Sequence, residues 1–269
     1  MVPPLSPSAQ TSRPMPTMMM RLLAIIVMLL TGIATPASAL DSPEKLTYDL
    51  TWTGIKAGTA TQEIIDEKDS IRVVSIARSA DWISVFFPVE DRVESILTKG
   101  TPPLFGLPKH YRMRTREGGR RKDREIIFDH ARGQAVYKDN LDGRKIDVAI
   151  HGNTYDAYSS FYYVRTLPLE VGKSVYVSIL DNNELWNVEV QVLKKERLDT
   201  KHGEVNTILI KPLIKSEGIF ERKGEIFIWL TDDARRIPVK MKTKVRIGSI
   251  TATLVDGNFR SPGRSGTVK

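Results

Sequence analysis

The stretch YRMRTREGGRRKDREIIFD (residues 111–129) decides the fold class. Tyr111, Met113 and Thr115 alternate with arginines as far as the pair Gly118-Gly119, and a second β-type run follows over 124–129. Alternation with a period of two is typical of a strand that buries one face, and glycine is common in the tight turns of hairpins. The stretch therefore predicts an antiparallel β-hairpin with the glycine pair at its tip.

The same alternation recurs along most of the chain. The turn sequences LDG (141–143) and DNN (181–183) predict two more hairpins. Further strands are predicted at 46–53, 59–65, 71–78, 89–98, 184–194, 204–212, 225–230, 239–247 and 249–256. Many strands with short connections indicate an antiparallel meander, and a sheet of this length must curl because long open edges pair with other chains.

One segment breaks this rhythm. The sequence TYDAYSSFYYVRTL (154–167) places Ala157, Phe161 and Val164 at helical spacing, with Thr154 as a cap and Pro168 as the stop. We therefore expect a mostly β protein: a strongly curved antiparallel meander, as an open barrel or a spiral sheet, around one aromatic-rich helix.

Residues 1–39 have the layout of an export signal. Arg21 precedes an apolar run over 22–33, and Ala37-Ser38-Ala39 follows as a cleavage triplet. The run is shorter than the roughly 20 apolar residues that span a bilayer, so we expect no stable membrane span in the mature chain. The prediction is an N-terminal extension and signal peptide cleaved after Ala39, a periplasmic β-rich domain over 40–259, and a disordered polar tail over 260–269.

The sequence contains no cysteine. A disulfide framework and thiol catalysis are therefore excluded, and no thiol follows the cleavage site for attachment of a lipid. Stability must come from packing and hydrogen bonding within the domain.

The formal net charge of +8 is concentrated in one segment. Residues 109–124 hold eight lysines and arginines against Glu117 and Asp123. Because residues two apart in a strand share a face, two rows of cations are expected, the second lying across the turn if the register permits. The rows are Arg112, Arg114 and Arg116, and Arg120, Lys122 and Arg124.

Guanidinium groups bind phosphate and carboxylate through paired hydrogen bonds. In an exported protein, the expected partners are anionic envelope components (phospholipid, lipid A or peptidoglycan) or an acidic periplasmic protein, and the compartment excludes nucleic acid. The alternative is a solvated hairpin whose charges prevent edge-to-edge pairing.

The aromatic residues of the helix have two interpretations. Tyr158, Phe161 and Tyr162 either roof a ligand cavity or plug the concave side of the sheet. Trp229, on a later strand, joins them as a candidate ligand-binding residue.

The sequence contains no motif that identifies a reaction. Asp232 and Asp233 are adjacent but lie where a turn is expected, and Asp156 and Glu225 are the other acids considered for a carboxylate site. The histidines lack the spacing of metal ligands. Catalytic residues therefore stay unassigned, and no metal or cofactor is expected.

Several segments of the second half carry a family resemblance: DAYSS (156–160), FYYVRT (161–166), VG (171–172), IWLTDD (228–233), RRIPV (235–239) and IGSITA (247–252). Together with Tyr48, Trp52, Gly54, Ala57 and Gly58 they resemble the DUF3108 family of exported bacterial proteins. The resemblance covers residues 46–256 and implies no defined activity. Trp229, Asp232 and Pro238-Val239 are also similar to one hairpin of the LolA/LolB lipoprotein carriers, which are half-barrels that shield acyl chains against helices.

Three functions are compatible with these features. The first is a periplasmic, non-enzymatic binding or carrier protein for envelope maintenance, which holds an amphipathic ligand (lipid or glycan) or an envelope partner. The second is a glycan- or peptidoglycan-acting hydrolase that uses carboxylates, and the third is a purely structural interaction module. A hollow apolar interior beside Phe161 and Tyr162 would favour the first, whereas a solid core would favour the third.

Overall fold

The computed structural model describes residues 43–100, 106–213, 225–244 and 248–258. The expected signal peptide, the expected polar tail and residues 245–247 of one expected strand lie outside this part of the chain. Within it are two short helices, α1 (Asp81–Ser84) and α2 (Ser159–Thr166). The strands are β1 (Glu44–Trp52), β2 (Ile55–Asp66), β3 (Ser70–Ser79), β4 (Val89–Thr98), β5 (Pro108–Glu117), β6 (Arg120–Asp129), β7 (Gln134–Asp139), β8 (Lys145–Ala149), β9 (Tyr155–Asp156), β10 (Ser174–Asp181), β11 (Glu184–Thr200), β12 (Gly203–Leu213), β13 (Ile226–Thr231), β14 (Pro238–Lys244) and β15 (Ser249–Gly257).

All fifteen strands belong to one sheet, in which most strands pair with their neighbours in the chain. The first and last strands also pair, so that β1 and β15 join the two halves in the middle of the sheet. Among the described strands, every pairing is antiparallel except that of β9 with β10. The two edges are β8 and β9, and the sheet is therefore a meander that does not close. The predicted fold class is confirmed.

The sheet curls around α2. Ile64, Val73 and Leu97 of β2–β4 belong to the same buried cluster as Tyr162 of the helix and Val190 of β11, although these strands are far apart in the sheet order. A second cluster joins residues of β5–β7 to Leu180 of β10. Strands that are distant in the sheet can share a core only if the sheet bends, which burial of their apolar faces favours.

The helix differs from its predicted bounds. Residues 154–158 do not join it, because Tyr155 and Asp156 pair with β10 as an edge strand. The predicted cap was wrong as well: the Thr154 hydroxyl accepts a hydrogen bond from the His151 amide (3.1 Å) and shares one with Ser178 (3.0 Å). Asp156 takes over at this end, since its carboxylate accepts the amides of Tyr158 (2.9 Å) and Ser159 (2.8 Å).

Alternate connections lie at the same end of an antiparallel meander. One end therefore carries the turns at 53–54, 118–119, 140–144 and 182–183 together with the longer connection 80–88. We call this end the hairpin rim. A hydrogen bond from the Arg124 guanidinium to the Asn182 side chain joins strand β6 to the turn at 182–183.

Candidate functional site

A cavity of about 360 Å³ lies between α2 and the inner face of β10–β14. Its wall is almost entirely apolar. The lining side chains belong to Gln62, Ala157, Tyr158, Ser160, Phe161, Val164, Val177, Ile179, Asp181, Trp186, Val188, Val190, Ile210, Pro212, Ile226, Ile228 and Met241. This volume falls within the ~300–1,000 Å³ of small-molecule sites, which combine apolar walls with a few polar groups.

Two of the predicted aromatic residues line this cavity, and the third holds them in place. Tyr158 and Phe161 border the hollow, whereas Tyr162 is fully buried beside it. The Tyr162 ring meets Tyr158 edge-on at 5.3 Å between centroids, and the two hydroxyl oxygens are 2.9 Å apart. Burial raises the pKa of Tyr162, so its hydroxyl stays protonated at any physiological pH. Helix α2 therefore covers the cavity with Tyr158 and Phe161 and fills the space beside it with Tyr162.

A buried ion pair fixes the far end of the helix. Both guanidinium Nη atoms of Arg165 donate to the carboxylate of Glu44 at 2.8 and 2.7 Å, and Nη2 also donates to the Arg235 carbonyl at 3.0 Å. The Arg165 side chain also lies over the Tyr162 ring at 5.5 Å. These contacts join α2 to the start of β1 and to the β13–β14 connection.

A buried carboxylate fixes the near end. Asp156 accepts the hydroxyls of Ser95 (2.6 Å) and Ser159 (2.7 Å) in addition to its two amide donors. Burial raises the pKa of Asp156, and the hydrogen bonds from Ser95 and Ser159 oppose that rise. Because Ser95 belongs to β4, this contact ties the helix to the opposite half of the sheet.

The two predicted rows of cations lie on opposite faces. The two-residue turn pairs Arg112 with Glu125, Arg114 with Asp123 and Met113 with Arg124. Directly opposed residues share a face, so the first row lies on the outer face while Arg120, Lys122 and Arg124 lie on the inner face with Met113. The register therefore forms both rows but places them on opposite sides of the sheet.

Several of these cations are neutralised within the fold. Arg112 donates to both oxygens of Asp123 at 3.1 and 3.0 Å, and this hydrogen bonding lowers the pKa of the Asp123 carboxyl. Arg124 bonds Asp139 at 3.3 Å. By contrast, the side chains nearest the hairpin tip are exposed, namely Arg114, Arg116, Arg120 and Arg121. Lys122 is half-buried.

Trp229 lies outside the cavity. Its neighbour Ile228 faces the hollow, and the Trp229 ring is on the outer face with Lys240, whose Nζ is 5.2 Å from the ring centroid. The indole nitrogen donates to Glu196 at 2.7 Å. The position of Trp229 therefore separates it from Tyr158 and Phe161.

The acids considered for catalysis are each engaged in structure. Asp233 accepts the Thr231 hydroxyl (2.7 Å) and the Arg235 amide (3.0 Å) within a turn. Asp232 pairs with Lys195 (2.7 Å), and Glu225 pairs with Lys211 and Lys244. In the described residues, no group of three or more histidine, aspartate or glutamate side chains could hold a metal ion.

One feature of the hairpin rim was not predicted from the sequence. Residues 80–88 form α1 and a connection whose large apolar side chains are exposed. The signal was present in DWISVFFP (81–88), an apolar run without period-two alternation that ends in proline. Of the helices in the described ranges, none is long and apolar enough to cross a membrane.

The chain matches one known protein family over most of its length. Residues 47–255 match the family described as "Protein of unknown function (DUF3108)", and the chain belongs to it. No curated protein matches.

One solved structure shows a similar fold, and a second aligns more weakly. The beta-barrel-like protein of the DUF1849 domain from Brucella abortus is similar with a TM-score of 0.54 and 13% identity, over 81% of this chain and 98% of that one. A protein from Bacteroides fragilis described as exported and YmcC-like in fold aligns with a TM-score of 0.35 and 11% identity, over 82% of this chain and 97% of that one.

Proposed function

We propose that this chain is a periplasmic, non-enzymatic carrier that holds the apolar part of an amphipathic ligand, such as an acyl chain, in the cavity beneath α2. The observation that carries this proposal is the hollow itself, which has an apolar wall and lies beside Phe161. A structural interaction module has no need of such a space, because unfilled apolar volume in a core costs stability. The signal-peptide layout of residues 1–39 supports the choice of an exported location.

The position of the cavity also supports this role. Asp181, Trp186, Pro212 and Ile226 line it and lie at the ends of β10–β13 that form the hairpin rim. An apolar chain can therefore enter between strand ends without separating paired strands. The fixed ends of α2, at Asp156 and Arg165, keep the roof in place.

Filling the hollow tests the proposal. Ile179→Trp places an indole in the cavity, and we expect it to weaken binding of the fluorescent fatty acid cis-parinaric acid by at least about tenfold, since the bound chain loses its apolar contacts. The measurement is a fluorescence titration of the mature protein. Val175→Trp is the matched control, because Val175 lies on the same face of β10 and packs on the same core without lining the cavity.

The outcomes are distinct. Weakened binding by Ile179→Trp with unchanged binding by Val175→Trp supports the cavity as the site. Equal affinities for both variants and the wild-type protein, or no binding by the wild-type protein at all, would contradict the carrier function. Circular dichroism of each variant verifies that it is folded.

A further inference from the structure

The connection 80–88, which we call the aromatic loop, presents apolar side chains to solvent at the hairpin rim. Phe86 is 85% exposed and Val85 is 77% exposed, and Trp82 and Phe87 are about half exposed. Large apolar patches of this kind mark interaction sites in soluble domains. The loop is held in shape by hydrogen bonds from the Phe87 amide to the Ile83 carbonyl (2.7 Å) and from the Trp82 indole to the Lys56 carbonyl (3.1 Å).

The apolar surface continues onto neighbouring turns. Trp52, Ile55 and Ile250 are exposed where β1, β2 and β15 reach the same rim. An apolar groove of about 470 Å³ runs between these strand ends and the loop. The exposed side chains therefore form one patch that spans several turns.

The tip of the β5–β6 hairpin adjoins the aromatic loop. The Gly118 amide donates to the Pro88 carbonyl at 2.8 Å. The Phe87 ring packs against Gly118 so closely that a β-carbon there would lie 2.8 Å from the ring, and Gly118 also has a φ of +61°. This contact places the cations of the tip beside the exposed aromatic side chains.

These cations are available for an external anion. Arg116, Arg120 and Arg121 are exposed, and in the described part of the chain none of them has a carboxylate within salt-bridge distance. The tip also holds Glu117, and the Asp91 carboxylate of β4 accepts the backbone amide of Arg116 at 3.2 Å. The rim therefore combines protruding aromatic side chains with a local excess of positive charge.

We propose that the aromatic loop and the adjoining hairpin tip dock this protein onto the surface of an anionic phospholipid bilayer. Tryptophan and phenylalanine partition into the head-group region, and basic residues near the surface are attracted to anionic lipids. The charge of the tip selects this occupant over a second copy of the chain, because two such tips would repel each other. This docking is independent of ligand binding in the cavity, which borders the same rim.

Sedimentation with vesicles tests the docking. The wild-type protein should co-sediment with vesicles of equal parts phosphatidylcholine and phosphatidylglycerol. It should not co-sediment with vesicles of phosphatidylcholine alone. Binding should weaken with added salt, since exposed charges are screened. Phe86→Ser should weaken binding about tenfold through its lost apolar contact, and joint reversal of Arg116, Arg120 and Arg121 to glutamate should weaken it on the order of a hundredfold.

A pair of valine variants provides the matched control. Val85→Ser removes an apolar side chain from the loop, whereas Val171→Ser removes one that is 49% exposed beside the start of β10, at the other end of the sheet. Val85→Ser should weaken vesicle binding and Val171→Ser should leave it unchanged. Both positions are exposed, so both variants should fold, and thermal melting verifies this.

Each other outcome overturns the proposal. The proposal is wrong if the wild-type protein does not bind anionic vesicles or binds neutral vesicles equally well. It is also wrong if Phe86→Ser and Val85→Ser bind anionic vesicles as tightly as the wild-type protein does. Association of the protein with itself that is abolished by Phe86→Ser, without vesicle binding, would assign the patch to a second copy instead. Loss of cavity binding in Ile179→Trp leaves these results unaffected, so the two proposals fail separately.

Discussion

Helix α2 packs against the sheet through two sides that differ in how they are filled. On one side, Tyr162 and the Arg165–Glu44 pair are buried and hydrogen-bonded. On the other side, Phe161 and Val164 border an apolar hollow. A helix held by polar contacts at both ends does not collapse into the hollow, although collapse would bury more apolar surface. The difference indicates that the fold keeps the cavity open.

The largest effect is expected at the filled side. Arg165→Met should lower the free energy of unfolding by about 3–5 kcal/mol, because it leaves the Glu44 carboxylate buried without its cation. Adding Glu44→Leu to the same variant should recover most of that loss, since both charges are then absent. Urea unfolding measures both values. A loss below about 1 kcal/mol for the single variant would contradict the role of the pair.

Adjacent residues of the helix compare the two sides directly. Tyr162→Ala should cost about 3–5 kcal/mol, the usual range for a buried aromatic residue, and Phe161→Ala roughly 1–2 kcal/mol because its ring already borders empty space. Urea unfolding of both variants gives the difference. Equal losses would mean that the two sides are packed alike.

Some features of the fold can be predicted from the sequence and others cannot. Alternation predicted most strands, and β4 has the predicted bounds of 89–98. The register of the basic hairpin could also have been derived, since a two-residue turn at 118–119 places Arg112 opposite Glu125 and so separates the two rows. The four-residue helix α1 and its exposed loop were not predicted, because their sequence shows neither the alternation of a strand nor the spacing of an amphipathic helix.

The site itself could not be derived from local patterns. Glu44 and Arg165 are 121 residues apart, and Ser95 and Asp156 are 61 residues apart. These contacts form only because the whole sheet curls. The hollow exists where side chains on the inner face of the sheet do not reach helix α2. Tyr158 and Phe161 line the hollow and stay candidates for ligand binding, and only the structure shows which side chains of the helix border the space and which fill it.

A smaller effect concerns the carboxylate at the near end of the helix. Since burial raises the folded-state pKa of Asp156, the stability that it contributes is full below the ordinary value of about 3.9 and falls as the pH rises through the folded-state pKa. Asp156→Asn resembles the protonated acid and does not titrate. The stability of the wild-type protein relative to this variant should therefore decrease from pH 4 to pH 7 in urea titrations. An increase over that range would contradict the sign of the shift.

The smallest effect is expected on the outer face. Arg112→Gln removes the partly exposed pair with Asp123 and should cost less than about 1 kcal/mol at neutral pH. The pKa of Asp123 is lowered by this pair, so its contribution is present above the ordinary pKa and disappears as the pH falls through the folded-state value. Wild-type and variant melting temperatures should converge in acid. A constant difference down to pH 2 would assign the loss to packing.

The central claim is that the hollow beside α2 accepts an apolar chain. The most direct measurement is methyl NMR of the mature protein during titration with dodecanoate. We predict that the methyl resonances of Val177, Ile210 and Ile228, which line the cavity, shift on binding while those of Val73 in the filled core stay unchanged. Shifts confined to the groove at Leu50 and Ile83, or no shifts at saturating dodecanoate, would contradict the account.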